Sequence, residues 1–338
     1  WYSRDRFPLQ GNDMAARRRK PRSTAWAEVP LDAPEEAWWK PIGSLLPLEG
    51  QVFAVNVDFV SLALLETSPS GKPTTLSVPK LHARPFRLQY LPEWPLLAVF
   101  SEHSLELLDV TEPRRPTRRL LFEYDIGHER AVASIDQDLY VTHQNGVAWL
   151  NPQSGKPEHL FDVPDDAHFG SYPTALTAAG QELYVVGRHA GLHVYRRKSR
   201  TEFSLVRSTK RGYAPTTCSW WAPGVLVLTG NEDVISVNVS PPEKAALQKS
   251  CKVASLDLES PLCRVTDTEA FVAGSHLRTS DLVIASLDLT DPLKPVVRET
   301  DVIGDPALDW HSCRAIRVGE YIFAGSMYLD RLRVFRKS

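Results

Sequence analysis

The chain has 338 residues, 43% of them apolar and 24% charged, with 39 Lys and Arg against 41 Asp and Glu, for a net charge of -2. That balance removes any bulk electrostatic case for a nucleic-acid partner. No stretch approaches the ~18 consecutive apolar residues of a membrane-spanning helix, and length alone suggests about two domains of roughly 150 residues.

In chain order, the first 23 residues read as an arm. Residues 11–24 (GNDMAARRRKPRST) are polar and basic and have no hydrophobic period. Arg17 to Arg22 would touch an acidic partner or stay solvated. Residue 1 is Trp, which points to a removed leader or a longer gene product and so leans toward an extracytoplasmic location. Membrane association is left to a partner or to a leader missing before Trp1.

From residue 43 onward one short pattern recurs, an apolar, β-rich run followed by a polar loop. Its instances are VFAV (52–55), LLAVF (96–100), LYVT (139–142), LYVVG (183–187), LVLTG (226–230), FVAG (271–274) and IFAG (322–325). The anchors Phe53, Leu97, Tyr140, Tyr184, Val227, Phe271 and Ile322 are spaced 44, 43, 44, 43, 44 and 51 residues apart. A second apolar strand precedes each anchor, a third follows it, and a fourth follows a Pro-containing turn in six of the units. No helical period is sustained. Four strands per unit of this length make a propeller blade, and seven units predict an all-β, seven-bladed β-propeller that replaces the two-domain expectation.

The seventh unit ends at Ser338 with three strands. Residues 24–33 (TAWAEVPLDA) precede blade 1 with the spacing of an outer strand, so they are expected to complete blade 7 and close the ring. The propeller then runs over 24–338.

The link between third and fourth strands has the most specific wording: LLDVTEPRRPTRRL (107–120) in blade 2 and SLDLTDPLKPVVRE (286–299) in blade 6, with weaker copies at 64–76, 149–160 and 236–247. Asp or Asn bonding nearby amides and Pro fixing φ are turn chemistry. This wording resembles that of bacterial LVIVD-repeat proteins. The resemblance implies a propeller and an exported or envelope-associated bacterial location, and it carries over no catalytic residue. Blade 4 (YRRKSRTEF) departs from the pattern.

Eight of the ten histidines fall in connections that share one propeller face: His82, His128, His168 and His311 between fourth and first strands, and His103, His143, His189 and His276 between second and third strands. That face also carries Arg84, Arg87, Arg130, Arg188, Arg278 and Arg314, and the aromatics Tyr172, Tyr213 and Trp310. Arginine forks suit carboxylate or phosphate, and Tyr and Trp beside Arg are the composition of an interaction surface. A protein partner or anionic ligand at the channel mouth is the expectation, with local ion pairing as the alternative. A transition-metal site would need His128 and His311 together with His103, His189 or His276, but the expectation is dispersed imidazoles and no cofactor.

Cys218, Cys263 and Cys313 occupy matching places in successive first strands and read as buried thiols, and a bridge between Cys251 and Cys263 stays open. No GxSxG, HExxH, Walker or GxGxxG pattern occurs. The function expected is a non-catalytic binding or scaffold propeller of the bacterial envelope or exterior. The alternative is a metal-dependent oxidase or lyase.

Overall fold

A computed structural model describes residues 26–29, 42–57, 61–85, 87–123, 131–143, 145–164, 173–187, 191–209, 217–230, 233–253, 256–257, 262–276, 281–303, 313–326 and 332–337. They form seven antiparallel sheets in a ring, a seven-bladed β-propeller. The strand β1 (Trp26–Glu28) belongs to the last blade. Blade 1 is β2 (Ile42–Pro47), β3 (Val52–Val57), β4 (Ser61–Thr67) and β5 (Pro73–Ser77). Blade 2 is β6 (Arg87–Leu91), β7 (Leu96–Phe100), β8 (Ser104–Asp109) and β9 (Thr117–Glu123). Blade 3 is β10 (Val132–Ile135), β11 (Asp138–His143), β12 (Gly146–Asn151) and β13 (Lys156–Asp162). Blade 4 is β14 (Pro173–Ala179), β15 (Glu182–Gly187), β16 (Gly191–Arg197) and β17 (Phe203–Thr209). Blade 5 is β18 (Thr217–Ala222), β19 (Val225–Gly230), β20 (Asp233–Asn238) and β21 (Ala246–Lys252). Blade 6 is β22 (Leu256–Asp257) and β23 (Cys263–Arg264), then β24 (Glu269–His276), β25 (Leu282–Asp288) and β26 (Val296–Ile303). Blade 7 is β27 (Arg314–Val318), β28 (Tyr321–Gly325) and β29 (Arg333–Lys337). One 3-10 turn, Pro242–Lys244, is the helical element among the described residues, and no described helix is long and apolar enough to cross a membrane.

All seven anchors sit in second strands and all are buried. The reason lies in the ring geometry. A blade packs against a neighbour on each of its faces, so its middle strands bury both sets of side chains and read as apolar runs rather than as alternation. The core accordingly lies between blades. Leu96, Ala98, Phe100, Leu105 and Leu107 of blade 2 meet Val132, Leu139 and Val141 of blade 3, and the same arrangement recurs at the other seams. One continuous cluster joins blades 6, 7 and 1, with Phe53 and Phe323 stacked at a tilt, ring centroids 4.5 Å apart.

The expected closure at 24–33 appears as β1 on the outer edge of β29, in the antiparallel register Trp26 to Lys337, Ala27 to Arg336 and Glu28 to Phe335. Residues 24–25 and 30–33 lie outside the described residues. The Val29 amide continues the pairing to Val334 O at 2.8 Å. Trp26 also reaches the neighbouring blade, donating Nε1–H to Asp301 Oδ2 at 2.8 Å. At the seam with blade 1, Gly71 has φ +80, and a Cβ there would lie 2.2 Å from the ring of Tyr321. A side chain at position 71 would therefore meet both backbone strain and the ring of blade 7.

The sequence places the inner strand of blade 6 at 262–266. Within that range the structure has β23 paired with β24, and a further short strand, β22, pairs with β24 earlier in the chain at 256–257. Residues 258–261 lie outside the described residues.

The turn wording of the third-to-fourth links has a clear physical basis. Asp109 Oδ1 accepts from the Thr111 amide, Asn151 Oδ1 from Gln153, Asn238 Oδ1 from Ser240 and Asp288 Oδ1 from Thr290, each at 2.9 Å. In blades 2 and 6 the same carboxylate also pairs with an Arg ten residues on, Asp109 with Arg119 and Asp288 with Arg298. Blade 4 turns instead through Lys198 N–H to Glu202 O at 2.8 Å.

Bonds from the main chain and hydroxyl of Thr290 and from Arg298 pull Asp288 down to about 2, and bonds from Thr111 and Arg119 lower Asp109. A carboxylate whose pKa is depressed in the folded state stabilises the protein above its ordinary pKa and loses that contribution as pH falls through the folded value. Asp109→Asn/Asp288→Asn keeps the oxygen that accepts the Thr amide in each turn and removes the titrations together with the arginine pairs. The double variant is expected to show a shallower loss of stability between about pH 4 and pH 2. An acid limb identical to the parent's in denaturant titrations would show that these turns play no part in it.

Candidate functional site

The connections from outer strand to next inner strand, and from second to third strand, leave the sheets at the same rim, the upper face. Inner strands start there. Arg87 is the first residue of β6 and Arg314 the first of β27, both half-buried, and Arg84 is exposed just before β6. His276 ends β24 and is half-buried. Among the other expected site residues, His128, Arg130, Tyr172, Arg188, His189, Tyr213, Trp310 and His311 lie outside the described residues. So do His168 and Arg278.

The described histidines of this face are spread among blades. His82 Nε2 lies 2.8 Å from Glu123 Oε1, while the His82 amide donates to Glu106 Oε2 at 2.9 Å. Glu106 is buried, and its other oxygen takes Arg118 Nε at 2.5 Å. These bonds fasten the segment between blades 1 and 2 onto β8 and β9. The exposed His103 stands 3.9 Å from Glu102. His143 ends β11. Among the described residues no three His, Cys, Asp or Glu side chains form a group that holds a metal.

Several polar side chains below the upper rim serve the frame. Asn56, fully buried near the end of β3, donates Nδ2–H to Pro85 O at 2.8 Å and so holds the approach to β6. Gln89 of β6 bridges to the next inner strand, donating Nε2–H to Val132 O at 2.6 Å and accepting from the Val132 amide at 3.0 Å. Thr142 accepts from the Ala131 amide at 2.9 Å. Through Gln89 the inner strands of blades 2 and 3 are thus coupled by a side chain between separate sheets, whereas Thr142 braces the start of β10 within its own blade.

All four cysteines are free, so Cys251 and Cys263 are not bridged. Burial pushes the Cys218 thiol up to about 12 and those of Cys251 and Cys263 up to about 11. Such thiols stay protonated at neutral pH, which favours packing over nucleophilic or soft-metal chemistry.

Sequence reasoning missed a second feature, on the opposite, lower face. A groove of about 590 Å³ crosses blades 4, 5 and 6. Its walls include Tyr184, Trp220, Trp221, Ala222, Pro223, Val239 and Pro242, with Glu182 and Arg264 as the charged residues. Trp220 donates Nε1–H to Ala178 O at 2.8 Å and meets Tyr184 edge to face, centroids 5.2 Å apart. The Arg264 guanidinium lies 4.4 Å from the Trp221 ring centroid and donates to the Trp221 carbonyl. The Trp-Trp pair in an inner strand was the available signal. Its partners come from three blades, which no local pattern reveals.

No family model matches the chain, and no curated protein matches it in sequence. Solved structures do match it in shape. A chain of the mitotic checkpoint complex aligns with 12% identity and a TM-score of 0.60, covering 99% of this chain and 98% of that one. A catalytically inactive virginiamycin B lyase from Staphylococcus aureus, crystallised with quinupristin, aligns with 11% identity and a TM-score of 0.60, covering 93% and 99%. The computationally designed Ika8 protein aligns with 9% identity and a TM-score of 0.53, covering 88% and 96%. At such identities the likeness establishes the propeller fold, a fold that hosts unrelated functions.

Proposed function

We propose that this ring is a non-catalytic binding or scaffold module whose upper face holds an acidic protein segment or another anionic ligand. The observation that carries the proposal is that Arg87 and Arg314 open the inner strands β6 and β27, with Arg84 exposed in the segment before β6. Inner strands line the channel, and we take these guanidinium groups to serve its upper mouth. Arginine brings a rigid fork of donors matched to carboxylate and phosphate. Beneath Arg84 and Arg87 the frame is fastened by the bonds of Asn56, Gln89 and Glu106. The turn wording of blades 2 and 6 supports an LVIVD-like repeat and, with it, an extracytoplasmic location.

The test is fluorescence anisotropy with a labelled decaglutamate peptide. Binding is expected to weaken steeply with added salt, and Arg84→Ala/Arg314→Ala is expected to weaken it about tenfold or more, with the melting temperature nearly unchanged. Salt-independent binding, or none, would overturn the proposal. Stoichiometric transition metal in the purified protein would overturn it in favour of a metal-dependent oxidase or lyase.

A further inference from the structure

The lower groove is separate from the upper face by the full length of the strands. It is built where the hairpins of blades 4 and 5 (Ala179–Gly180 and Pro223–Gly224) meet the turn at 239–242 and the end of β23. Successive strand residues point to opposite sheet faces. Trp220 therefore packs toward blade 4 with Tyr184, and Trp221 toward blade 6. Gly180, Pro223 and Ser240 are exposed along the rim, so the groove is open rather than enclosed. Gly224 keeps the hairpin tight against the neighbouring turn: its φ is +75, and a Cβ there would lie 2.7 Å from Ser240 Cβ.

The charge of the lining is lopsided. Glu182 is matched by Arg196 Nε at 2.9 Å, and Arg196 also holds Glu243 at 2.7 Å. Among the described residues Arg264 has no comparably close acid. Its carboxylate neighbour, Asp267, stands 3.8 Å away and is fully exposed. The Arg264 side chain is 48% exposed, held flat against Trp221. Arginine has five N–H donors, and the bonds described for Arg264 use a minority of them. Tyr184 and Trp221 are themselves buried, so the accessible wall is made by Trp220, Ala222, Pro223 and Pro242. Ending in a positioned guanidinium, it is complementary to an apolar body with an adjacent negative charge.

We infer that the lower groove docks a peptide segment in which a bulky apolar side chain stands beside a carboxylate, the apolar group lying against Trp220 and Pro223 and the carboxylate on Arg264. The open rim and the volume suit a short extended segment contributing one or two side chains.

The experiment uses the whole chain and four probes, measured by calorimetry and saturation-transfer NMR: Ac-Gly-Pro-Phe-Asp-Gly-NH2, its Asp-to-Asn form, its Phe-to-Ala form, and phenylacetate. The parent peptide is expected to bind, with a loss of about tenfold in the Phe-to-Ala form and about fivefold in the Asp-to-Asn form. Arg264→Gln is expected to erase the preference for Asp over Asn. Pro223→Asp, at an exposed rim position, is expected to weaken the Asp peptide more than the Asn peptide. Absence of peptide binding, equal binding of the three peptides, or an unchanged preference in Arg264→Gln would overturn the inference. Phenylacetate binding as tightly as the peptide would overturn it in favour of a small aromatic acid. None of these outcomes depends on the upper-face arginines.

Discussion

Removing residues 1–29 is expected to destabilise the whole ring, with one cooperative unfolding transition at lower temperature and self-association of the folded fraction. Three contributions are lost together. The ladder to β29 disappears, along with the Val29 amide bond to Val334. The Trp26 indole no longer ties blade 7 to Asp301 of blade 6. Glu28 no longer meets Arg333 Nη1 at 2.9 Å. β29 then becomes an open edge, ready to pair with another chain. The single change Trp26→Ala, at a half-buried position, is expected to cost about 2 kcal/mol. Calorimetry gives the transition and light scattering the association. A truncated chain that is monomeric and melts with the parent would mean the ring does not depend on β1. Hydrogen exchange gives an independent reading, since the β1 amides paired with β29 are expected to be protected like those of a middle blade.

Asp138→Ala is expected to be among the most damaging substitutions away from the apolar core, at about 3–5 kcal/mol. Asp138 opens β11 on the lower face, its side chain 10% exposed, and its partner Arg197 at the end of β16 is 11% exposed. Arg197 also holds Asp136 at 2.9 Å, and Arg200 Nε holds Asp138 at 2.8 Å. The Arg200 guanidinium lies over Trp149 at 5.2 Å, and the Tyr140 hydroxyl donates to Arg200 O at 3.1 Å. Together these contacts lock blade 3 to blade 4. Deleting the central carboxylate removes the acid that Arg197 and Arg200 share and leaves the nearly buried Arg197 with the exposed Asp136 as its remaining carboxylate. The cost is therefore mostly that of a buried charge left with a weaker, solvent-exposed partner. Asp138→Ala/Arg197→Met, which removes that buried charge as well, is expected to recover part of the loss. Chemical denaturation of the three proteins decides it. A single variant within about 1 kcal/mol of the parent would show that water already screens the group.

The blades were legible because every second strand is buried on both faces, which forces an uninterrupted apolar run at each turn of the ring. Phe53, Tyr140 and Ile322 share that environment and so share the pattern. The closing strand was legible from arithmetic, since a seventh unit with three strands needs a fourth. The short strand β22 at 256–257 was less so, because Leu256 and Asp257 stand in a mixed apolar and acidic stretch (LDLES, 256–260) with no apolar run to mark a strand. Of the upper face, connection order alone assigns Arg84, Arg87, His276 and Arg314 to a rim. It does not give their partners. Glu106 and Glu123, which take the main chain and ring of His82, lie 24 and 41 positions away. The lower groove was invisible for the same reason, with Tyr184, Trp220 and Arg264 each carried by a different blade.

The pairing of Trp26 with Lys337 also sets an order of events during synthesis. At roughly 5–20 residues per second, on the order of half a minute separates the appearance of β1 from that of its partner strand. Throughout that interval the finished blades have no ring to belong to, and blade 1 has one face without the neighbour that later covers Phe53. Each added blade shields the one before it, but the last apolar face is covered only when the final strand arrives. Two blade faces therefore stay open to association with other chains until blade 7 docks, and folding assistance is of most use until that closure.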